Sequence, residues 1–136
     1  MKDCLFCKII KGEIPSEVVY QDEHAFAFLD IHPKAPGHTM VIPKVHAEHL
    51  LELPDVEIAP FFTAVKRAQE MVDKAIKPTG YTLGINHGRV SGQEVDHLHF
   101  HIIPRWLGDN GKSIHSVVDN PPKEDLSVIA ERIRNV

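Results

Sequence analysis

The sequence predicts an α+β domain built around an antiparallel sheet of about five strands, with one long helix and a C-terminal helix. Three patterns indicate this class: short β-rich runs joined by hairpin-length links, one long central segment of helical periodicity, and a shorter amphipathic segment near the C-terminus. The 136 residues, 43% of them hydrophobic, suit one domain with a buried core. We therefore expect residues 1–136 to form a single domain, with an N-terminal Cys-x-x-Cys segment over 1–15 and a C-terminal tail with a helix over 105–136.

Five runs have the composition and the flanking turn signals of strands. The predicted strands cover residues 17–20, 25–30, 38–43, 81–86 and 97–103. The polar link at 21–24 predicts a hairpin between the first two strands. Pro43 and Pro104 are each expected to close a strand, because proline cannot donate to a ladder. The polar link at 87–96 contains glycines and is expected to be a loop.

Two segments have helical periodicity. Apolar residues recur at helical spacing over Asp55–Lys77, with charged residues between them. The Pro-Thr-Gly sequence at 78–80 ends this helix, and a short helical turn is expected earlier, at about 47–51. The final helix, about Lys123 to Arg134, carries on one side Leu126, Ile129, Ala130 and Ile133.

The composition argues against several classes of function. A formal net charge of −4 lacks the basic surface that sequence-independent binding of nucleic acid requires, so a small-molecule substrate is expected. No apolar run approaches the roughly 20 residues that span a bilayer, so no membrane partner is expected. The segment 1–10 is too short and too interrupted for a signal peptide. These features predict a cytoplasmic protein.

The last predicted strand contains three histidines that alternate with apolar residues. Because alternate side chains of a strand face opposite sides, His97, His99 and His101 are expected to share one face. The opposite face then packs against the core and carries Leu98, Phe100 and Ile102. Neighbouring imidazoles disfavour each other's protonation, and histidine has no strong preference for strands, so this arrangement predicts a functional role.

Two chemistries fit the three histidines. In the first, His97 and His99 share a zinc ion and the third histidine supports them. In the second, one neutral imidazole attacks phosphorus while a neighbour holds phosphate oxygens or protonates the leaving group. The run Gly92-Gln93-Glu94-Val95 lies directly upstream and favours the second chemistry, because a glycine lets backbone N–H groups approach an anion closely.

Two polar residues at predicted strand ends are further candidates for such a site. Asn86 has an amide that can bind a phosphate or ribose oxygen, or it can form the turn that follows. Asp30 could bind ribose hydroxyls or begin the turn before Pro33.

The two cysteines form a Cys-x-x-Cys pair, too close in sequence for the disulfide framework of a secreted fold. Cys4 and Cys7 are instead a half-site for zinc. His46 and His97 are the candidates to complete it, and His49 is a competing ligand. A filled site would be closed and structural; the alternative is two reduced surface cysteines without metal.

The remaining histidines stand at no spacing that suggests a role. Surface or loop positions are therefore expected for His24, His32, His38, His87 and His115.

The chain resembles the histidine-triad (HIT) superfamily, and within it the Hint and bacterial HIT-like branch. The resemblance rests first on the three alternating histidines and covers most of the chain. It also takes in Phe6, Ile9-Ile10, Glu13-Ile14-Pro15, Ala27-Phe28-Leu29-Asp30-Ile31, Gly37-His38, Val41-Ile42-Pro43-Lys44, Asn86 and Gly92-Gln93.

The resemblance implies a role for each matching position. His99 would be the nucleophile, His101 would contact the phosphate and assist the leaving group, and His97 would be structural or a ligand. The residues implied around a bound nucleotide, besides His99 and His101, are Ile9, Phe28, Asp30, Ile31, Asn86, Gly92, Gln93, Glu94 and Val95. Some HIT-like proteins also join a Cys-x-x-Cys pair to a mid-chain histidine and the first triad histidine, here Cys4, Cys7, His46 and His97.

The implied reaction is hydrolysis or transfer at the α-phosphate of nucleoside 5′-phosphoramidates or related nucleotidyl compounds, through a nucleotidyl-histidine. A purine nucleotide is the expected substrate, zinc the expected structural cofactor, and no catalytic metal is expected. The resemblance also implies a homodimer that pairs through the long helix and the strand after it. The alternatives are a dinucleoside polyphosphate hydrolase, a zinc hydrolase, and a nucleotide-binding interaction protein with vestigial turnover.

The chain departs from the Hint pattern in two places. Glu94 stands where Hint-type members usually have serine, and a carboxylate beside a phosphate is repelled unless it turns away or is protonated. After the triad, Ile103-Pro104-Arg105-Trp106 and a tail resembling those of bacterial HIT-like proteins replace the short Hint ending. Arg105 could reach a phosphate or be an exposed cation at a strand end.

Overall fold

The computed structural model describes residues 3–136. Its regular elements in chain order are α1 (Leu5–Ile10), β1 (Val18–Gln21), β2 (Ala25–Leu29), β3 (Thr39–Pro43), α2 (Asp55–Ile76), β4 (Gly80–Gly84), β5 (Phe100–Arg105) and α3 (Leu126–Arg134). Short 3₁₀ turns lie at Leu50–Glu52, Arg89–Ser91 and Ile114–Ser116. All five strands pair antiparallel in the order β1-β2-β3-β5-β4, which confirms the predicted α+β class.

The two faces of the sheet are built from side chains of different size. In β2 the alternating sequence turns Ala25 and Ala27 toward one core and Phe26 and Phe28 toward the other. The alanines leave room for α2, whose buried residues pack on that face. The phenylalanines face the other side, where α1 covers part of the sheet. One face is therefore filled by the long helix, and the other is left partly open.

The last strand starts later than predicted. Residues 97–99 precede β5 and pair with no neighbouring strand. Leu98 donates its N–H to the carbonyl of Ala47 in a loop, and His97 donates its N–H to the nearby carbonyl of Val95. Pro104 lies within β5 instead of closing it. The pairing of β5 with β3 ends before Pro104, because Thr39, the first residue of β3, lies opposite Ile102. The N–H that Pro104 lacks therefore has no partner to lose in β3.

Other boundaries differ by a few residues. The predicted hairpin between β1 and β2 is confirmed. The fourth strand ends at Gly84, so Asn86 lies in the following loop. The first helical turn of the tail helix begins at Leu126, and the short turn predicted over 47–51 lies at Leu50–Glu52. Helix α1 is not predicted from the sequence because its 6 residues are too few for a periodic pattern.

The turn into β3 depends on a glycine. Gly37 has a φ of +86°, a conformation that disfavours side chains, and a Cβ there would lie 3.0 Å from Cγ1 of Ile76 at the end of α2. The chain can therefore pass close beneath the helix only with glycine at this position. This path places the next residue, His38, against β5.

The tail after β5 lies on the surface. Helix α3 has no buried residue. Within residues 3–136, no helix is both long and apolar enough to cross a membrane.

The α2 core provides a test of this packing. Phe61 is 1% exposed, whereas Val56 on the same helix is 77% exposed. Phe61→Ala should lower the free energy of unfolding by about 3–5 kcal/mol, because it removes a buried ring and leaves a cavity. Val56→Ala is the control, with an expected loss below about 1 kcal/mol because the side chain is exposed. Urea denaturation measures both, and equal losses would contradict the placement of the core.

Candidate functional site

The three alternating histidines lie on the partly open face of the sheet. Phe6 of α1 touches both His97 and His99 edge-on, with ring centroids 5.9 Å and 5.3 Å away. The ring of His101, in β5, lies 5.1 Å from that of His99. His97 and His99 are buried and His101 is partly buried. The rings are therefore adjacent, and each has different partners.

The backbone fixes the proton position of His99. Its Nδ1 lies 2.8 Å from the carbonyl oxygen of His97, which can only accept, so Nδ1 carries the hydrogen. Nε2 then has the free lone pair, and no described residue hydrogen-bonds to it. A neutral imidazole with a free Nε2 is a competent nucleophile.

A second chain of hydrogen bonds fixes which ring nitrogen of His101 carries the hydrogen. The backbone N–H of Lys34 donates to Nδ1 of His38 at 3.1 Å, so the hydrogen of His38 is on Nε2. That Nε2 lies 2.9 Å from Nδ1 of His101 and donates to it. The remaining hydrogen of His101 is therefore on Nε2, which has no described partner and can donate to a ligand. The carboxylate of Asp30 lies 3.5 Å from Nε2 of His38.

His38 is thus a candidate site residue. It lies in the loop before β3, which agrees with the expected loop position, but it is buried, so a surface position is wrong. Its buried side chain hydrogen-bonds to His101 from the residue directly before β3, the strand next to β5. The local sequence Pro-Gly-His gives no periodic signal for this contact, because the partners are separated by 63 residues. The one indication in the sequence is that Gly37-His38 is among the segments that resemble the HIT superfamily.

Burial keeps the imidazoles of His101 and His38 neutral. Burial, with smaller effects from His99 and His38, lowers the pKa of His101 to about 4. Burial also lowers the pKa of His38, against the opposing effect of Asp30. The hydrogen-bonded pair is therefore uncharged near neutral pH in the free protein.

The third triad member belongs to a different group of side chains. Nε2 of His97 donates to the carbonyl of Pro43 at 2.9 Å, so the lone pair is on Nδ1. This atom lies 3.4 Å from Sγ of Cys4, 3.6 Å from Sγ of Cys7 and 3.2 Å from Nδ1 of His46. The ligand atoms of the four residues all lie within 4.8 Å of one another.

These distances are compatible with a tetrahedral zinc ion. Zinc bonds of about 2.3 Å to sulfur and about 2.0 Å to nitrogen require S···N separations of about 3.5 Å and N···N separations of about 3.3 Å. The observed separations agree, and Cys7 Sγ lies 3.3 Å from Nδ1 of His46. Burial and the Cys4 thiol raise the pKa of Cys7 to about 11, so the thiolate form needs a nearby cation.

His49, the competing ligand, does not join this cluster. Its ring stacks on that of His87 with a centroid distance of 4.1 Å, and its Nδ1 is buried without a hydrogen-bond partner among the described residues. Its spacing from His46 is close to a helical turn, but this segment is not helical, so the two rings diverge.

The loop between β4 and β5 is held by two side chains. Gln93 is buried: its Oε1 accepts from Gly88 at 2.7 Å and its Nε2 donates to Glu48 at 2.7 Å. Arg89 donates to the carbonyls of Gln93 and Glu94 and pairs with Asp96 at 3.0 Å. Sequence reasoning missed Arg89, because an isolated arginine in a polar loop gives no signal.

The same loop presents free backbone donors. No described group accepts from the N–H of Glu94 or Val95. The exposed Glu94 side chain makes no described ion pair, and its carbonyl is held by Arg89 at 2.6 Å. Gly92 has a φ of +101°, and a Cβ there would lie 3.7 Å from Nδ2 of Asn86, so these two residues adjoin as predicted. Successive free N–H groups form a site for an anion.

The remaining candidate residues lie toward β2. Phe28 pairs with Met40, which pairs with His101, so Phe28 lies two strands from the histidine, at about 10 Å. Ile9 packs in the same buried cluster as Phe28. Asp30 accepts from the N–H of His32 at 2.9 Å, and Ile31 is 81% exposed beside it. An apolar wall and a carboxylate therefore lie on one side of His101.

The fold and this arrangement define an α+β protein with a histidine site next to a Cys/His cluster. The model of the HIT domain family matches residues 11–106, and the chain belongs to the HIT domain family. An adenosine 5′-monophosphoramidase of Schizosaccharomyces pombe is 47% identical over 130 residues, covering 96% of this chain and 95% of that protein.

Two solved structures are similar over most of the chain. A HIT family member from Bacillus subtilis has a TM-score of 0.87 and 40% identity, and the match covers 98% of this chain and 96% of that one. A Zn-bound histidine triad family protein from Mycobacterium smegmatis has a TM-score of 0.74 and 34% identity, covering 80% and 79%. The resemblance stated from the sequence is therefore confirmed.

The neutral state of His101 predicts a pH dependence of stability. Its pKa falls from 6.5 to about 4 on folding, so the unfolded chain binds the proton first as the pH falls. The contribution of His101 is therefore complete above about pH 6.5 and is lost as the pH falls toward 4. Between pH 7 and pH 5 the free energy of unfolding of His101→Asn should fall by about 1 kcal/mol less than that of the wild type. The exposed His115→Asn serves as the control, and parallel pH profiles for wild type and His101→Asn would contradict the assignment.

Proposed function

We propose that this protein is a nucleotide hydrolase that acts at the α-phosphate of nucleoside 5′-phosphoramidates or related nucleotidyl compounds, through a covalent nucleotidyl-histidine at His99. The observation that carries the proposal is the bond from Nδ1 of His99 to the His97 carbonyl, which leaves Nε2 free beside His101. Membership of the HIT family and the similarity to an adenosine 5′-monophosphoramidase support it.

A purine nucleotide fits the neighbouring groups. The base would lie against Phe28 and Ile9, next to the exposed Ile31, and the carboxylate of Asp30 would accept from ribose hydroxyls. The α-phosphate would bind the free N–H groups of Glu94 and Val95, near Asn86 and Gly92. Gln93 would act by holding this loop, since its side chain is already hydrogen-bonded.

In the first step, Nε2 of His99 forms a bond to the α-phosphorus as the bond from phosphorus to the leaving group breaks. The departing amine takes up one proton, which His101 delivers from Nε2 as an imidazolium. Negative charge on the bound phosphate favours protonation of His101 in the complex, against the burial that keeps it neutral in the free protein. The solvent supplies this proton.

In the second step, water attacks the phosphorus and the bond to His99 breaks. His101, now neutral, accepts a proton from the attacking water and returns it to solvent. The products are a nucleoside monophosphate and the amine, and both histidines regain their starting states. In the free protein, where His101 is neutral, the Nε2–H of His38 holds its ring in place.

Zinc would have a structural role in this protein. Cys4, Cys7, His46 and His97 would supply all four ligands, which leaves no open position for water. A bound zinc would stabilise the two thiolates and hold His97 in its present orientation. Because the carbonyl of His97 accepts from His99, the metal cluster would also support the nucleophile.

A homodimer is the proposed assembly. Apolar side chains are partly exposed along α2 and β4, at Ile58, Phe62, Met71 and Leu83. Paired α2 helices with β4 beside them would cover these side chains.

A covalent intermediate gives the first test. Wild-type protein quenched during turnover of adenosine 5′-phosphoramidate should show a mass increase of one nucleotidyl group, and His99→Gly should show neither the adduct nor turnover. His24→Ala, which removes an imidazole that pairs with Glu57 outside the site, is the control and should behave as wild type. Absence of both adduct and product in the wild type would point instead to a nucleotide-binding protein.

Metal analysis gives the second test. We expect one zinc per chain in the wild type, much less in Cys7→Ser, and a full complement in His49→Ala. Zinc removal by a chelator should lower Tm by more than about 5 °C, because binding stabilises only the folded state. Initial rates of turnover, measured well below the Tm of the zinc-depleted protein, should be unchanged by the chelator. Loss of turnover on chelation without unfolding would favour a zinc hydrolase.

A further inference from the structure

Arg89 is the one arginine of the loop between β4 and β5, and the two reaction steps give it no part. Its side chain is 66% exposed, yet its donors are directed back at the loop. Nη1 donates to the carbonyl of Gln93 at 3.2 Å and to that of Glu94 at 2.6 Å. Nη2 pairs with Asp96 at 3.0 Å. One nitrogen of the guanidinium therefore binds two successive backbone carbonyls.

The planar peptide bond connects these carbonyls to two N–H groups of the same loop. The carbonyl of Gln93 and the N–H of Glu94 belong to one peptide group, and the carbonyl of Glu94 and the N–H of Val95 belong to the next. In a trans peptide group the C=O and the N–H point in opposite directions. Since both carbonyls face Nη1 of Arg89, both N–H groups are directed away from it, toward one common side.

These two N–H groups are the free donors of the loop. No described group accepts from the N–H of Glu94 or of Val95. On either side of them the N–H groups are already bonded to loop carbonyls, at Gly92, Gln93 and His97. Two adjacent N–H groups on one side of the chain form a site for an anion. The loop thus has an anion site on one side and a guanidinium on the other.

Arg89 lies too far from this anion site to be a ligand itself. A carbonyl oxygen and the nitrogen of the same peptide group are about 2.3 Å apart, so Nη1 and a phosphate oxygen bound to the N–H would be separated by about 8 Å. The carboxylate of Asp96 also balances the charge of the guanidinium. Arg89 can therefore act on a phosphate mainly through the peptide groups, by fixing their direction and by polarising them.

The other arginine near the triad serves a different segment. Nε of Arg105 donates to Asp109 at 2.6 Å, and Nη1 donates to Thr82 Oγ1 at 2.8 Å and to the carbonyl of Lys112 at 2.9 Å. Arg105 is thus already paired, and it is neither a phosphate ligand nor a free surface cation. The arginine that acts on the anion site is Arg89.

We propose that Arg89 is a positioning residue for the α-phosphate, because its bonds to two carbonyls aim the N–H groups of Glu94 and Val95 at the phosphate oxygens. The proposal rests on the proposed function, which puts the α-phosphate at these N–H groups. Asp96 holds the guanidinium in place for this role. Negative charge that develops on the oxygens during attack by His99 then meets two donors that are already oriented.

Two ligands separate an effect on phosphate from a general loosening of the site. Adenosine 5′-monophosphate carries the phosphate and adenosine lacks it, so Kd is measured calorimetrically for both. Arg89→Met should raise Kd for the monophosphate about tenfold and leave Kd for adenosine unchanged. Val90→Ala, at a fully exposed side chain in the same short turn, is the control and should match wild type. Equal losses for both ligands, or no loss for the monophosphate, would overturn the proposal.

Arg89→Lys separates geometry from charge. Lysine keeps the positive charge but lacks the planar fork that spans two carbonyls and Asp96. We therefore expect Arg89→Lys to lose about as much affinity for the monophosphate as Arg89→Met does, at low and at high salt. Wild-type affinity in Arg89→Lys would show that charge alone matters, and the positioning role would be wrong.

Amide resonances report the orientation of the donors directly. In ¹H–¹⁵N spectra of wild type, adenosine 5′-monophosphate should shift the amide protons of Glu94 and Val95 downfield, because charge-assisted hydrogen bonds form, and adenosine should not. At saturation with the monophosphate these shifts should be smaller in Arg89→Met and unchanged in Val90→Ala. Shifts of wild-type size in Arg89→Met would contradict the proposal even if turnover fell.

Turnover of adenosine 5′-phosphoramidate tells a failure of this inference from a failure of the proposed function. Arg89→Met should lower kcat/KM by about 10- to 100-fold, with part of the loss in kcat, because the donors meet charge that develops at phosphorus. Wild type that shows the amide shifts without turnover would count against the proposed function alone. Turnover by wild type without shifts at Glu94 and Val95 would overturn the role of Arg89 alone.

Discussion

The backbone around His97 connects the parts of this site. Its imidazole donates to the Pro43 carbonyl and turns Nδ1 toward the Cys/His cluster, while its carbonyl fixes the hydrogen of His99. One residue thereby orients the proposed ligand set and the proposed nucleophile. The irregular backbone before β5 is a condition for this, because a carbonyl paired with a neighbouring strand would have less freedom to accept from a side chain. The local departure from regular strand pairing is therefore part of the site.

Burial and hydrogen bonding together set the chemistry of the triad histidines. A buried imidazole without partners would be costly, but His97, His99 and His101 each have one nitrogen matched to a backbone group or to His38. In the proposed function, the other nitrogen of His97 binds a metal, that of His99 attacks phosphorus, and that of His101 protonates the leaving group. Burial disfavours the charged forms of His97 and His101, and the hydrogen bonds assign the tautomer of all three rings. These two effects give neighbouring histidines different chemistry on one sheet face.

The sheet has one face for packing and another for chemistry. Alanines in β2 let α2 lie close on one side, and the Phe26 and Phe28 rings face the other, where α1 covers only part of the surface. The tail covers the far end of that open face and is held there by Arg105. The part of this face that carries His101 thus lies between two segments outside the sheet: α1, which contacts His97 and His99, and the tail, which contacts Ile103.

The sequence by itself determined the class of the fold, the hairpin of β1 and β2, the long helix, and the alternation that puts the three triad histidines together. These features depend on residues near one another in the chain, where periodicity is readable. Only the tertiary structure decided that His38 supports His101, that His49 leaves the Cys/His cluster, and that Pro104 lies inside a strand. Each of these depends on what a distant segment provides: a ring 63 residues away, the path of a loop, or the point where a neighbouring strand ends. Local sequence patterns carry no measure of such distances, so the partners of a side chain are set only when the chain has folded.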